Sequence, residues 1–178
     1  MTAPNPRALR LEQEQKRLAD WCGKRSHAVA LLGTEGSPAA AYTLRFNCAS
    51  VARLAADGSP VMAASQTLRI TLPSNYPMAQ PTVMITTPVF HPNIWVSGQV
   101  CLGHYWSMQR TLDQLADQLW RILVWDPEVA DPDSAANRDA AIWYLHSFDR
   151  KPFDRVDPAA PAGAATEPPP AEKPRIRW

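Results

Sequence analysis

Apolar positions near the start of the chain recur at helical spacing. Leu11, Leu18 and Cys22, with Trp21 beside them, fall on one stripe, and the spacing predicts a helix over 7–25. Its other positions carry Arg7, Arg10, Lys16, Arg17, Lys24 and Arg25 against Glu12, Glu14 and Asp20, which reads as a basic, solvated face. From His27 to Thr87 the period drops to two. A short apolar run, Ala28 to Leu32, is followed by Tyr42, Leu44, Phe46 and Cys48 alternating with Thr43, Arg45 and Asn47. Leu68, Ile70 and Leu72 alternate with Arg69 and Thr71, and Val83 and Ile85 alternate with Thr82, Met84 and Thr86. Breaks at 33–38, 57–60 and 73–81 supply turns, and no helical stretch lies between the strands, so four strands in an antiparallel meander are expected. Helical spacing returns with Leu112, Leu115, Leu119, Ile122 and Leu123. Thr111 and Gln114 make a capping box, Asp113 sits in the first turn, and Asp126-Pro127 ends the run. A further helix is expected over 134–148 with Ala141, Ile142 and Leu145 facing inwards. Helix, four strands, an irregular stretch, then helices: this is an α+β order.

Composition narrows the class. The chain has 178 residues, of which 46% are hydrophobic, enough for one folded domain. With 18 Lys+Arg against 17 Asp+Glu the net charge is +1, which argues against bulk electrostatic binding to nucleic acid or to an anionic membrane. Three Cys are too few for a disulfide framework and fit a reducing compartment. No apolar run approaches the roughly 18 residues of a membrane span, and the start MTAPNPRALR lacks the apolar stretch of a secretory signal, so a cytoplasmic protein is expected. Proline places the boundaries. Pro73, Pro77, Pro81, Pro88 and Pro92 mark corners around the strands, because proline cannot donate to a ladder. Six of the 18 prolines lie in 157–178, a segment too poor in large apolar residues to offset ordering. The organisation read from this is an N-terminal extension over 1–6, one domain over 7–150 and a flexible Pro/Ala-rich tail over 151–178. The tail ends with Lys173, Arg175 and Arg177 around Ile176 and Trp178, either a solvated terminus or a short docking peptide.

Pro88 to Trp106 (PVFHPNIWVSGQVCLGHYW) has no clear period, and irregular stretches this long inside a domain are often functional. It holds His91, Asn93, Cys101 and His104. A loop Cys is a nucleophile whose sulfur can hold an acyl group as a thioester. Acyl transfer then passes through a tetrahedral oxyanion, to which a side-chain amide such as that of Asn93 could donate. The bland reading of any Cys is a small buried hydrophobe; Cys22 and Cys48, on apolar faces, fit it better than Cys101. A Cys-His hydrolase pairing Cys101 with His91 or His104 lacks a recognisable nucleophile signature. A zinc site at Cys101-Leu-Gly-His104 lacks a second ligand pair.

The chain resembles the ubiquitin-conjugating (E2) enzymes over about 7–148, with the specific motifs concentrated in 72–132. LPSNYPMAQP (72–81) is similar to the family's Pro-rich segment. His91-Pro92-Asn93 is similar to its His-Pro-Asn tripeptide, and Cys101-Leu102 follows Asn93 at the spacing of its catalytic Cys, with Gly98 between. The helix from Thr111 resembles the one after the active-site Cys, and Asp126-Pro127 to Asp131-Pro132 resembles the acidic Asp-Pro loop.

The resemblance implies an α+β UBC-like fold and a domain that accepts a ubiquitin-like modifier from an E1 on Cys101 and transfers it to a lysine of a protein substrate. It implies an oxyanion-associated or loop-holding role for Asn93, a lysine-positioning role for Asp131, a mainly structural role for His91, and E1 docking by the helix bearing Arg7, Arg10, Lys16 and Arg17. It implies no cofactor and no metal. Three departures stand out. Gly103 occupies the position where the family usually has Asp. Trp106 follows Cys101 after only five residues, so the loop is compressed, and Met108 stands where Ser-Pro is usual. These resemble the bacterial E2-like proteins of ubiquitin-like conjugation systems, some of them in anti-phage defence operons. The alternative from another class is a non-catalytic variant of the fold that binds a ubiquitin-like protein or E1.

Overall fold

The computed structural model describes residues 5–103 and 105–146. The expected tail, the N-terminal four residues, His104 and the end of the last expected helix fall outside these.

The first helix, α1 (Pro6–Lys24), starts where Asn5 caps it: the Arg7 N–H donates to Asn5 Oδ1 at 3.0 Å, and Pro6, which has no N–H to satisfy, takes the first helical position. Leu11, Leu18, Trp21 and Cys22 are buried, as the spacing predicts. Glu14 is buried too, contrary to its expected place on the solvated face. The reason is a partner set that sequence spacing does not show, described below.

Strands β1 (Val29–Gly36), β2 (Ala39–Phe46), β3 (Ser50–Leu54), β4 (Pro60–Ala63), β5 (Gln66–Thr71) and β6 (Thr82–Ile85) follow. The four expected strands are β1, β2, β5 and β6, and they form one antiparallel sheet in the order β1-β2-β5-β6. Between β2 and β5 the chain makes a separate hairpin, β3-β4, that the alternation did not reveal. The break at 57–60 is the turn of this hairpin. Its strands are short, and β4 carries intermediate and exposed residues, so it lacks the clean inside-outside alternation of a sheet strand. Buried Gln66 ties the hairpin to the sheet, donating from Nε2 to Ser50 Oγ at 2.6 Å.

The side chains pointing off one face of β2 and β5, namely Tyr42, Leu44, Phe46, Leu68 and Ile70, are fully buried. They pack with α1 and with α2 (Leu112–Leu123), whose buried face includes Leu112, Leu115, Leu119, Ile122 and Leu123. Phe46 sits between Trp21, at 6.3 Å between ring centroids, and Trp120 at 5.9 Å, and so joins α1, β2 and α2. Gln114 reaches back to the Thr111 N–H at 3.1 Å at the start of α2.

A second, smaller cluster surrounds Trp125. This residue leaves α2 with φ +59°, a left-handed turn rare for a bulky residue, and is nonetheless buried. Its ring stacks on Tyr144 at 5.5 Å and meets Trp143 edge-on at 5.5 Å. Tyr144 and Trp143 belong to α3 (Arg138–His146), shorter than the 134–148 expected. Asn137 caps it, accepting from the Ala140 N–H at 3.2 Å. Ala140, Ala141 and Tyr144 face inwards, whereas Ile142 and Leu145, expected inside, are 48% and 59% exposed. The helix is anchored by the aromatic contact to Trp125, and that contact turns the face away from the one its aliphatic residues suggest. Among the described residues no helix is long and apolar enough to cross a membrane.

Candidate active site

The segment 88–103 runs between the two clusters, and the residue types expected to carry chemistry lie on it. Ile94 and Val100 pair across a narrow antiparallel hairpin, with the Cys101 N–H donating to Asn93 O at 2.8 Å and the Trp95 N–H to Gln99 O at 2.9 Å. The hairpin is bound to the edge of β6: the Val100 N–H donates to Val83 O at 2.9 Å, and the Ile85 N–H to Gly98 O at 2.8 Å. This covers a sheet edge that would otherwise be open. Gly98 makes the approach possible. Its φ is +89°, and a Cβ there would lie 2.4 Å from the Ile85 carbonyl oxygen.

In this register Asn93 and Cys101 stand opposite one another, as do Trp95 and Gln99. Ile94 and Val100 point the other way and are buried, at 1% and 4% exposure. Of the three thiols, Cys22 and Cys48 are buried and Cys101 is half-buried. Burial pushes the Cys22 thiol up to about 11, so it is poorly suited to act as a thiolate.

The Asn93 carboxamide is a clamp. Its Nδ2 donates to Val129 O at 3.0 Å, and its Oδ1 accepts from the Asp131 N–H at 3.0 Å. This brings the 126–134 loop to the rim beside Cys101. The loop has its own scaffolding. Arg121 on α2 pairs with Asp126 at 2.6 Å and also with Glu128, and Asp126 Oδ1 accepts from the Glu128 N–H at 2.9 Å. Asp131 is exposed, and its Oδ1 accepts from the Ser134 N–H at 2.9 Å.

His91 is 1% exposed. Its Nδ1 accepts from the Asn93 N–H at 3.0 Å, and its ring meets Trp125 edge-on at 4.5 Å. Burial lowers its pKa to about 3, so it is neutral at pH 7, with the proton on Nε2 because Nδ1 is an acceptor. Neighbouring backbone bonds hold the tripeptide from both sides: Phe90 N–H to Val51 O at 2.8 Å and Asn137 N–H to Pro92 O at 3.0 Å.

Buried Glu14 joins three elements: α1, the 73–77 turn and the start of α2. Oε1 accepts from Arg10 Nε at 2.6 Å and from the Tyr76 hydroxyl at 2.8 Å, and Oε2 accepts from the Leu112 N–H at 2.7 Å. A carboxylate therefore sits on the N-terminus of α2, where helix amides favour negative charge. Burial first, and then the Glu14 charge, raises the Tyr76 phenol well above its ordinary value. Arg10 also donates to Arg110 O at 2.7 Å, and Arg7 to Pro73 O at 3.1 Å. Of the four basic residues expected to dock a partner, Arg7 and Arg10 thus make contacts within the chain, while Lys16 and Arg17 are exposed. Trp106 closes the loop after Cys101 by donating from Nε1 to Pro77 O at 2.7 Å.

Of the site residues expected from the sequence, His91, Asn93, Cys101 and Asp131, the structure brings the first three and the Asp131 backbone together. The supports around them, Trp125 against His91, Glu14 at the start of α2 and the hairpin register, were not read from the sequence. A signal for the hairpin was present, since Trp95 to Val100 is a Ser-Gly turn between β-formers. Among the described residues no group of three His, Cys, Asp or Glu is placed to hold a metal ion.

Comparison with known proteins gives three kinds of likeness. The family model described as ubiquitin-conjugating enzyme matches residues 50–156, more than half of the chain. The ubiquitin-conjugating enzyme E2-20 kDa of Schizosaccharomyces pombe is 32% identical over 79 residues, 43% of each chain. The ubiquitin-conjugating enzyme E2 pex4 of Dictyostelium discoideum is 35% identical over 77 residues, 41% of this chain and 49% of that one. This chain thus spans less than half the length of these curated relatives. A crystallised protein of Plasmodium yoelii, described as a ubiquitin conjugating enzyme, superposes with a TM-score of 0.58 over 83% of this chain and 89% of that one; at 22% identity it shows the fold.

Proposed function

The chain belongs to the ubiquitin-conjugating enzyme family, and from that premise we propose that it accepts a ubiquitin-like modifier from an E1 as a thioester on Cys101 and passes it to a lysine of a target protein. The observation that carries the reading is the pairing of Cys101 with Asn93, which puts the one half-buried thiol opposite a fixed carboxamide.

Transfer requires a neutral amine. Its nitrogen attacks the thioester carbonyl carbon, a C–N bond forms, and the C–S bond breaks. The amine proton leaves and Cys101 departs as thiolate, so one amide and one thiol replace one thioester and one amine. Negative charge gathers on the carbonyl oxygen in between. Asn93 Nδ2 has a second hydrogen besides the one given to Val129 O, and that hydrogen is the proposed donor to the oxyanion. The same carboxamide fixes the loop that carries Asp131. Asp131 is proposed to orient the incoming ammonium and help it shed its proton through the oxygen that does not cap Ser134. His91 is a support: neutral, buried and hydrogen-bonded to the Asn93 backbone. Exposed Lys16 and Arg17 on α1 are the proposed contacts with an acidic surface of the E1, with Arg7 and Arg10 shaping that end of the helix from within.

The test is charging with E1, ATP and modifier. A reductant-sensitive adduct is expected on the native protein and on Cys22→Ala, and absent from Cys101→Ala; its absence from all three would favour a non-catalytic binding module. The finer setting, a cytoplasmic bacterial conjugation system of the anti-phage type, rests on the compressed Cys101–Trp106 loop and Gly103, while the relatives above are eukaryotic. Neighbouring genes for an E1-like enzyme, a ubiquitin-like protein or a deconjugating metalloprotease test that setting.

A further inference from the structure

Three observations converge on Trp125. Its φ of +59° strains the backbone of a bulky residue, and glycine or asparagine would make the same left-handed turn with less strain. Such strain persists where the surroundings over-determine the residue, and it clusters at functional sites. The turn itself uses only backbone: the Trp125 N–H donates to Ile122 O at 3.0 Å and the Asp126 N–H to Arg121 O at 2.9 Å. The second observation is an orphan. His91 Nε2, which carries the ring proton, is buried without a hydrogen-bond partner among the described residues. Buried donors are nearly always satisfied, because leaving one unpaired is costly. The third is a distance. The His91 and Trp125 ring centroids lie 4.5 Å apart at an interplanar angle of 63°. The other edge-on pairs are wider, Trp125–Trp143 at 5.5 Å and Phe90–Trp143 at 6.3 Å. Stacked Tyr144 covers one face of the indole. The small imidazole can present its edge to the other, where the negative π face accepts an N–H.

We propose that Trp125 is a positioning residue for transfer from Cys101: its ring face accepts the His91 Nε2–H and, through that contact, holds Asn93. The inference rests on the reading of Cys101 as the thioester residue. A proton locked on Nε2 leaves Nδ1 to accept from the Asn93 N–H. The Trp125 backbone leads directly into the loop whose Val129 O and Asp131 N–H grip the Asn93 carboxamide. Trp125 therefore sets both the main chain and the side chain of Asn93. Without the ring, the imidazole is free to turn or change tautomer, and the carboxamide shifts away from the oxyanion. A loss of about tenfold is expected, below the roughly 100-fold that a misplacement of about 1 Å can cause.

Two readouts on the full-length protein test this. Nitrogen–proton correlation spectra of isotope-labelled protein at neutral pH read the imidazole directly, with the His91 signal assigned by its loss in His91→Phe. Loading from a ubiquitin mercaptoethanesulfonate thioester, followed by discharge to free lysine, reads the chemistry. In the native protein the His91 proton is expected on Nε2 and shielded by the indole ring current. Trp125→Leu keeps apolar bulk but no ring face. It is expected to load normally, to lose the shielded signal and to discharge about tenfold more slowly. Trp125→Phe keeps a face, and is expected to keep the shielded signal and most of the native discharge rate. A native Nε2–H with the downfield shift of an oxygen-bonded donor would overturn the contact, whether or not Trp125→Leu folds. Native discharge by Trp125→Leu, or slow discharge by Trp125→Phe despite a shielded signal, would overturn the positioning role and leave Cys101 intact. If the native protein forms no thioester, the reading of Cys101 fails and the positioning role with it, and the imidazole signal still decides the contact.

Discussion

Replacing Glu14 by Ala removes one acceptor group from three donors at once. The Tyr76 hydroxyl and the Leu112 N–H lose their partner in a buried setting, and each orphaned donor costs about 1–3 kcal/mol. Arg10 loses its ion pair, but its side chain is 22% exposed, so water recovers part of that contribution. The expected destabilisation is about 4 kcal/mol, in the range for breaking a buried pair by deleting one partner. For a chain of this size that corresponds to a fall in Tm of roughly 8–16 °C. Glu14→Gln keeps one carbonyl oxygen but turns an amide toward donors, so a loss of about 2 kcal/mol is expected. Tyr76→Phe removes a single bond and leaves the carboxylate with two partners, so a loss of about 1 kcal/mol is expected. Urea unfolding followed by tryptophan fluorescence measures all three. If Glu14→Ala lies within 1 kcal/mol of the native protein, or Tyr76→Phe matches it, the carboxylate is not the junction between α1, the 73–77 turn and α2.

Other perturbations separate support from chemistry. Gly98→Ala places a Cβ against the Ile85 carbonyl at a left-handed φ; loss of at least about 2 kcal/mol is expected, together with slower charging of Cys101, and normal charging would show that the hairpin tolerates displacement. His91 has a pKa depressed to about 3 in the folded state, so between about pH 6.5 and 3 the unfolded chain binds the extra proton. Its contribution to stability is complete above pH 6.5 and declines as pH falls, at up to about 1.4 kcal/mol per pH unit. His91→Phe should flatten that slope in acid unfolding curves, and an unchanged slope would assign it to other groups. Asn93→Ala should charge normally yet discharge to lysine about 100-fold more slowly, since both the clamp on 129–131 and the proposed oxyanion donor are lost; equal discharge rates in a single-turnover chase would reject both roles.

Elements whose faces are set by local pattern were readable in advance. Leu11, Leu18 and Cys22 on α1, the alternating residues of β2 and β5, and the Leu/Ile stripe of α2 all bury as their spacing implies. The misses share a cause: partners distant in sequence. By spacing Glu14 lies on the same stripe as Leu11 and Leu18, and its charge alone assigned it to solvent; the partners that let it bury are 62 residues away at Tyr76 and 98 at Leu112. Ile142 and Leu145 are the large aliphatic residues of α3, but stacking of Tyr144 on Trp125 accompanies burial of the Ala140, Ala141 and Tyr144 face instead. At the site, residue types and spacing pointed to Cys101 and Asn93 because their relation is local, eight residues apart across one hairpin. The link from Asn93 to Asp131 spans 38 residues and emerges only in three dimensions.

The most direct measurement concerns the sulfur itself. Cys101→Ser, charged with E1, ATP and modifier and followed by intact mass, should carry an oxyester that survives reductant and is cleaved by mild hydroxide. An adduct on this variant that still dissolves in reductant would place the thioester on Cys22 or Cys48 and contradict the assignment of Cys101.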